Sequence, residues 1–354
     1  MIRIRAWRAP RADAPWVRRT FILACAAAVV TWELTCPPAV HDRLLPRVAT
    51  CVAFLLIATA VALCIRHCLL GELRRTQEIS GAVQRVLLRP LPARLEGLAV
   101  AAGQLSASRG AAVGGDLYEA VATPHGVRIV IGDVRGHGID ALGAVAAVLG
   151  SFREAAYDEP GLPGVLRRME RALHRHLRER ARAEHPAAGG AEPDSPVAEE
   201  FVTVLLLEIG PDGEVLALNC GHPWPYRLRG SAEVLAGADP LPPLGAFPLP
   251  DDIPVQLRTR LLPGEALFLH TDGAEDARDR AGEYFPLRGA LAEAALGPVS
   301  PAGLVADVHA ALLRHTGGRL ADDVALLVLR NDRRRVPAQP GGPAVRRAPT
   351  PHGA

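Results

Sequence analysis

The chain has 354 residues and a formal net charge of +2. It is therefore long enough for one large domain or two modest ones, and its charge balance excludes the broad basic footprint of a nucleic-acid-binding protein. All 40 basic residues are arginine, which excludes phosphate-binding loops that end in lysine. The six cysteines show neither CxxC spacing nor a disulfide framework, which favours a reduced, intracellular catalytic part.

The N-terminal region has the pattern of a membrane anchor. Residues 1–19 are basic, and residues 20–65 contain two apolar runs, the second of which (48–65) is about as long as a bilayer core requires. Arginine is enriched on both outer flanks, so the positive-inside rule predicts a two-helix transmembrane hairpin with both ends in the cytoplasm. Two alternatives are a cleaved signal peptide, which leaves 48–65 unexplained, and a lipoprotein site at Cys25, which needs a longer preceding apolar stretch.

Residues 66–92 are predicted to form a juxtamembrane connector. Its apolar positions recur at helical spacing from 71 to 88, and Pro90 and Pro92 end the helix. Such a helix is either a spacer or a carrier of a signal, and it could also join two copies of the chain as a homodimer.

From residue 93 to 330 the pattern changes to one globular domain. Short strands separated by Gly-rich turns alternate with two groups of helices, which favours an α+β fold in which helices cover two packed antiparallel sheets. Long helices are predicted at 140–157, 162–183 and 301–313. Residues 184–199 are low in complexity and predict a mobile loop, and the Pro/Arg-rich segment 331–354 predicts a disordered tail.

Carboxylates recur at the ends of the predicted strands. Asp133 and Asp272 each follow an apolar strand, Asp116 opens a strand after two glycines, and Asp322 and Asp323 precede another strand. Any one of these is most often a turn residue. Four such sites without nearby cysteine, and without histidine at ligand spacing, favour a hard cation such as Mg²⁺ or Mn²⁺.

The other motifs give weaker evidence for a catalytic site. The sequence GGDLY at 114–118 lacks the second acid of the diguanylate-cyclase turn, and His137 between two glycines is typical of a structural turn. Cys220 and His222 are close in sequence, but nothing nearby indicates the electropositive pocket that an activated thiolate needs. We therefore interpret Cys220–His222 as a tight turn beside the site.

The motifs taken together resemble a known family. In chain order they are VGGDLYEA, VIGDVRGHGIDA, FVTVLLLEI, NCGHPWPY, PPLG, PGEALFLHTDGAEDARD and ADDVALLVL. This ordered set is similar to the SpoIIE-like branch of the metal-dependent PPM protein serine/threonine phosphatases, over roughly residues 84–329.

The resemblance implies an α/β/β/α sandwich that binds two Mn²⁺ or Mg²⁺ ions, with a weaker third. The residues implied as metal ligands are Asp116, Asp133, Val134 (through its backbone carbonyl), Asp272, Asp276 and Asp322. Asp276 corresponds to the acid at the weaker third metal. Asp116, Asp133, Asp272 and Asp322 would act in catalysis through a metal-activated water, so no protein nucleophile is needed.

Some positions depart from the family pattern or have no certain counterpart. Glu119 occupies a position where the family usually has Asp, and Asp276 occupies one where many members have Glu. Asp323 corresponds to a position that is usually not a direct ligand. Arg109 is assigned only by proximity as the residue that grips the substrate phosphate. No core ligand is missing, so we expect an active enzyme.

The expected function is hydrolysis of phosphoserine or phosphothreonine in the cytoplasm by a multi-pass protein of the cell membrane. The resemblance implies a phosphorylated STAS-type anti-anti-sigma protein as substrate and partner, and no nucleic acid. Two other functions remain open at this point: a catalytically inactive binding module of the same fold, and a two-metal enzyme that processes nucleotides.

Overall fold

The computed structural model describes residues 57–59, 61–68, 70–71, 86–106, 114–135, 139–184 and 200–333. The chain divides into two compact units, Met1–Glu72 and Leu73–Ala354. In the first unit every described residue is helical, and none of the helices in the described parts of the chain is long and apolar enough to cross a membrane. Most of the expected hairpin, and most of the connector helix, lie outside the described residues and stay predictions.

The second unit contains eleven strands, four α-helices and a 3-10 helix (Asp272–Ala274) whose bounds lie within its described residues. The strands are β1 (Arg94–Leu95), β2 (Leu98–Leu105), β3 (Asp116–Thr123), β4 (Gly126–Val134), β5 (Val202–Ile209), β6 (Glu214–Cys220), β7 (Tyr226–Leu228), β8 (Ala232–Val234), β9 (Leu257–Arg260), β10 (Ala266–His270) and β11 (Val324–Asn331). The helices are α1 (Ile139–Asp158), α2 (Leu162–Glu184), α3 (Leu287–Ala294) and α4 (Pro301–His315).

The strands form two antiparallel sheets. The first sheet has the order β1-β2-β11-β10-β7-β8, and the second has the order β3-β4-β5-β6-β9. Apolar side chains from both sheets meet in a central core, α1 and α2 cover the outer face of the second sheet, and α3 and α4 cover the outer face of the first. The expected sandwich with helices on both outer faces is therefore confirmed for this unit.

The long helices follow the sequence pattern closely. Helix α1 is rich in Ala, Val and Leu, and its inner side is fully buried at Val148, Leu149 and Phe152. Helix α1 extends one residue beyond its predicted bounds at both ends. Helix α2 begins at the predicted residue and ends one residue later than predicted. Helix α3 and strand β1 have no counterpart among the predicted elements, because eight and two residues give too little periodicity to detect.

The end of the domain also differs from expectation. Strand β11 continues to Asn331, the first residue of the segment 331–354 that was expected to be a disordered tail. The Asn331 side chain donates to the Leu261 carbonyl at 2.8 Å, and Arg333 donates to the Glu96 carbonyl at 2.7 Å. These bonds hold the chain through residue 333, and the rest of the expected disordered tail lies outside the described residues.

One buried arginine joins a helix to the middle of the second sheet. Arg128 lies on β4 directly opposite Glu208 on β5, and its Nε donates to Glu208 Oε2 at 2.8 Å. Its Nη1 and Nη2 donate to the carbonyls of Ala156, Glu159 and Pro160, where α1 ends. Arg128 is fully buried, so it supplies donors to buried carbonyls in the last turn of α1 and just beyond it.

We expect Arg128→Met to lower the free energy of unfolding by about 3–5 kcal/mol, because it leaves a largely buried Glu208 carboxylate and three carbonyls without their partner. Urea unfolding of the full chain measures this. The control is Arg260→Met, which breaks a pair with Asp212 whose side chains are 61% and 58% exposed and should cost no more than about 1 kcal/mol. Equal losses in the two variants would contradict this role for Arg128.

Candidate metal centre

The two sheets bring the predicted acids to the same end of the sandwich. Asp116 begins β3 and lies directly opposite Asp133 near the end of β4. In the other sheet, His270 at the end of β10 pairs with Leu326 near the start of β11. Asp272 therefore leaves the sheet close to where Asp322 enters it. Acids separated by more than 200 residues in sequence meet at one edge.

A buried threonine links the acids of the two sheets. Thr271, which follows β10, donates through Oγ1 to Asp116 Oδ2 at 3.3 Å. The same hydroxyl accepts from the backbone N–H of Ala325 on β11 at 2.9 Å. Thr271 is fully buried and Asp116 is only 2% exposed, so this bond crosses the interior between the sheets.

Burial and like charge both act on the acids of the second sheet. Burial raises the pKa of Asp116 well above its ordinary value, and Asp133, Asp323 and Asp322 raise it further, while the Thr271 bond acts in the opposite direction. Burial also raises the pKa of Asp133 to about 7, with added repulsion from Asp272 and Asp322. Acids from both sheets therefore lie within electrostatic reach of one another.

The acids of the first sheet interact in the same way. Burial raises the pKa of Asp272, and repulsion from Asp322 and Asp276 adds to it. Asp276 lies one turn beyond Asp272, and its N–H donates to the Asp272 carbonyl at 2.9 Å. Each of the five predicted acidic ligands thus lies in one cluster, which we call the acid cluster: Asp116, Asp133, Asp272, Asp276 and Asp322.

The donor chemistry of the acid cluster fits a hard divalent cation. Carboxylate oxygens are the preferred protein ligands of Mg²⁺ and Mn²⁺, and positive charge would relieve the repulsion that raises the pKa values. As positioned here, no set of three or more His, Cys, Asp or Glu side chains among the described residues is arranged to hold a metal ion.

Two glycines make room for the acids. A Cβ on Gly115 would lie 2.3 Å from the carbonyl oxygen of Val134 and 2.7 Å from Asp133 Oδ1. A Cβ on Gly114 would lie 1.8 Å from Asp323 Oδ2. The double glycine of the GGD motif is therefore needed for close approach, and it places the Val134 carbonyl, a predicted ligand, against the start of β3.

A histidine that the sequence analysis did not assign to the site supports its strands. His222 is fully buried, and burial lowers its pKa to about 3, so the ring is neutral. Its Nε2 lies 3.1 Å from the carbonyl oxygen of His270, and its Nδ1 lies 3.1 Å from Thr203 Oγ1. A carbonyl can only accept, so Nε2 carries the proton and the Thr203 hydroxyl donates to Nδ1.

This imidazole connects the ends of the strands that carry the acids. Thr203 lies directly opposite Asp133, and His270 is two residues before Asp272. The Asn219 side chain holds the His222 backbone through bonds of 2.7 and 2.8 Å. The motif NCGH was visible in the sequence, and Gly221 adopts a positive φ of 69°, as a tight turn requires. Only the fold shows that the turn points its histidine between the sheets.

The structure also tests the other residues singled out in the sequence. Burial raises the pKa of Cys220 to about 12, which opposes a thiolate nucleophile. Glu119 pairs with Arg153 on α1 at 2.6 Å and does not join the acid cluster. Asp323 is only 9% exposed and contributes more to the pKa of Asp116 than Asp322 does. Arg109 and His137 lie outside the described residues.

Comparison with known families identifies the domain. The family model of stage II sporulation protein E (SpoIIE) matches residues 123–332. The chain belongs to the SpoIIE family. The matched segment contains four of the five residues of the acid cluster and begins seven residues after Asp116.

Solved structures agree with the SpoIIE assignment. The structure of the RsbU and RsbW domains of Rv1364c from Mycobacterium tuberculosis is 25% identical, with a TM-score of 0.51; the match covers 66% of this chain and 60% of that one. The SiaA-PP2C domain of Pseudomonas aeruginosa is 18% identical, with a TM-score of 0.55 over 75% of this chain and 98% of that one. The second likeness shows the PP2C fold, and the SpoIIE family is a metal-dependent phosphatase family of that fold.

We expect Gly115→Ala to lower the free energy of unfolding by about 1–3 kcal/mol in the presence of a chelator, because the new Cβ overlaps the Val134 carbonyl. Urea unfolding measures the change. Gly150→Ala is the matched control, since a Cβ on this exposed glycine of α1 meets nothing within 4 Å and should stabilise the helix by up to about 1 kcal/mol. A Gly115 variant as stable as the wild type would show that the close approach is not needed.

The raised pKa of Asp133 predicts a pH-dependent stability. The folded state favours the protonated acid, so the destabilisation is absent below the ordinary value of 3.8 and complete above about pH 7. In chelator, Asp133→Asn should therefore be more stable than the wild type at pH 8, by about 1–3 kcal/mol, and equally stable near pH 4. Urea unfolding at both pH values measures this, with Asp307→Asn on α4 as a control for loss of an exposed acid.

Proposed function

We propose that this chain is a metal-dependent phosphoprotein phosphatase that hydrolyses phosphoserine or phosphothreonine. The observation that carries the proposal is the acid cluster, in which carboxylates from both sheets lie close enough to raise the pKa of one another. Membership of the SpoIIE family supports the same reaction.

In this proposal Asp116, Asp133, Asp272 and Asp322 hold two Mn²⁺ or Mg²⁺ ions together with the Val134 carbonyl, and Asp276 serves a weaker third. Such ions, when bound, lower the pKa of a water molecule and neutralise phosphoryl oxygens. The Thr271 hydroxyl orients Asp116 without adding charge.

Protons compete with the metal at this site. The carboxyl of Asp133 has a pKa of about 7, so a substantial fraction is protonated at neutral pH until a cation favours the ionised form. Metal binding therefore releases protons and strengthens as the pH rises. We expect the metal concentration needed for half-maximal activity to be higher at pH 6 than at pH 8.

The proposed substrate is a phosphorylated STAS-type anti-anti-sigma protein, and the proposed output is a change in sigma-factor use. The family resemblance supports this choice, as does similarity to a structure that contains RsbU and RsbW domains. We further propose that residues 20–65 anchor the chain in the cell membrane with the phosphatase domain in the cytoplasm, and that residues 66–92 could pair two copies. The hydropathy and charge pattern of the sequence supports these last two points.

The test is phosphate release from a phosphorylated STAS-domain protein by the full chain, with Mn²⁺ and with a chelator. We expect turnover with Mn²⁺ only, and a loss of about 100-fold or more in Asp272→Asn, because a predicted ligand is removed. Asp307→Asn removes one exposed acid from α4 and should retain wild-type turnover.

Two outcomes would contradict the proposal. A folded wild-type chain without metal-dependent phosphate release would favour an inactive binding module. Turnover of nucleoside triphosphates or cyclic dinucleotides, with none of the phosphoprotein, would favour a nucleotide-processing enzyme.

A further inference from the structure

Helix α2 carries four exposed arginines along one side. Arg171, Arg175, Arg178 and Arg182 follow the spacing i, i+4, i+7 and i+11, so they share one face of the helix. We call this set the basic stripe. Within the described part of the chain, no carboxylate forms an ion pair with any of the four.

Other arginines of the same helix do have partners. Arg168 pairs with Glu159 at 2.6 Å, and Arg180 pairs with Glu200. The opposite side of α2 is buried in the core at residues such as Met169 and Leu173. The helix therefore has an apolar face, arginines that bind the domain itself, and a separate charged face directed to solvent.

Stabilisation of the helix dipole does not explain the whole stripe. Basic residues favour a helix C-terminus only within about the last turn. Arg182 lies in that turn, but Arg171 and Arg175 lie near the middle of α2. These two guanidinium groups remain exposed without a structural role in the helix.

The C-terminal end of α2, which carries one end of the basic stripe, approaches the start of β5. Arg180, on the other side of the helix from the stripe, contacts Glu200, and the next residue, Phe201, accepts a backbone hydrogen bond from Arg135 at 2.9 Å. The Arg135 guanidinium lies 5.2 Å above the Phe201 ring, and Arg135 directly follows Val134. From Arg171 to Arg182 the stripe is about 16 Å long at the helical rise per residue.

On the basis of the proposed phosphatase function, we infer that the basic stripe is a docking surface for an acidic segment of the phosphoprotein substrate. Arginine binds carboxylates through a planar, bidentate fork, and exposed arginines lose little solvation when they do so. A row of positive charge on α2 would attract such a segment and orient the partner.

Two synthetic phosphoserine peptides of equal length test this inference. One carries six glutamates, which span about 20 Å when extended and so match the stripe, and the other carries six glutamines at the same place. Spacers of about 4, 8 and 12 residues between the phosphoserine and this segment cover a range of distances between the acid cluster and the basic stripe. The quantity measured is the ratio of kcat/KM for the acidic peptide to kcat/KM for the neutral one.

The variants are made in the full chain. R171Q/R175Q/R178Q/R182Q removes the basic stripe, and R171K/R175K/R178K/R182K keeps its charge. The matched control removes four exposed arginines elsewhere, from β9, α3 and the region of α4: R258Q/R288Q/R314Q/R319Q. Both glutamine variants lower the net charge by the same amount.

At low salt and at the best spacer length, we expect the wild-type kcat/KM for the acidic peptide to be about ten times that for the neutral peptide. The ratio should fall to near one in the glutamine variant of the stripe, and remain high in the lysine variant and in the control. It should also fall toward one in the wild type at high salt, a measurement that does not depend on folding of any variant.

Other outcomes would overturn the inference. A wild-type ratio near one at every spacer length, or equal losses in the stripe and control variants, would show that the stripe does not dock an acidic segment. Turnover of neither peptide by a chain that hydrolyses the phosphorylated STAS-domain protein would also overturn the inference, whereas turnover of neither the peptides nor that protein would contradict the proposed phosphatase function itself.

Anionic lipid is the competing partner. Cosedimentation with phosphatidylserine vesicles, compared with phosphatidylcholine vesicles, measures it. Loss of phosphatidylserine binding in R171Q/R175Q/R178Q/R182Q with an unchanged peptide ratio would assign the stripe to a membrane surface instead.

Discussion

Repulsion between carboxylates that face each other across an antiparallel strand pair is the constraint on which this domain depends. Asp116 lies opposite Asp133, and like charges at such positions destabilise a sheet. Burial increases the cost because it removes water from both groups. The apolar layers between and outside the two sheets must offset it. The acids of the cluster lie at strand ends, so the repulsion between them is confined to one edge of the sandwich.

The division of the acid cluster between two sheets couples the site to the packing of the whole domain. Asp116 and Asp133 belong to one sheet, and Asp272 and Asp322 flank strands of the other. A cation held by both pairs would cross-link the sheets, so its binding would stabilise the folded state. Uncharged groups already join the sheets at this edge: Thr271 bonds to Asp116, and the neutral His222 bonds to the strand that precedes Asp272. These groups add directional bonds without adding to the repulsion.

Much of this arrangement could be predicted from sequence, for identifiable reasons. The long helices and the acids at strand ends produce strong local patterns, and the order of the motifs limits the families to which the chain can be assigned. Strand register is a tertiary property, so the sequence could not show that Asp323 raises the pKa of Asp116 more than Asp322 does. Nor could it show that His222 turns inward, because a histidine after Cys-Gly has the same local pattern when it faces solvent. Glu119 likewise gave no sign of its partner Arg153, 34 residues away.

All 40 basic residues of the chain are arginine, and the fold gives this side chain two distinct uses. In the interior, Arg128 donates to one carboxylate and three carbonyls at once, and Arg153 joins Glu119 to the carbonyl of Leu87. A lysine ammonium is a compact charge without this planar array of donors. On the outer face of α2 the guanidinium groups of the basic stripe face solvent. The number of acceptors that the fold supplies therefore separates arginines that hold the domain together from those available to a partner.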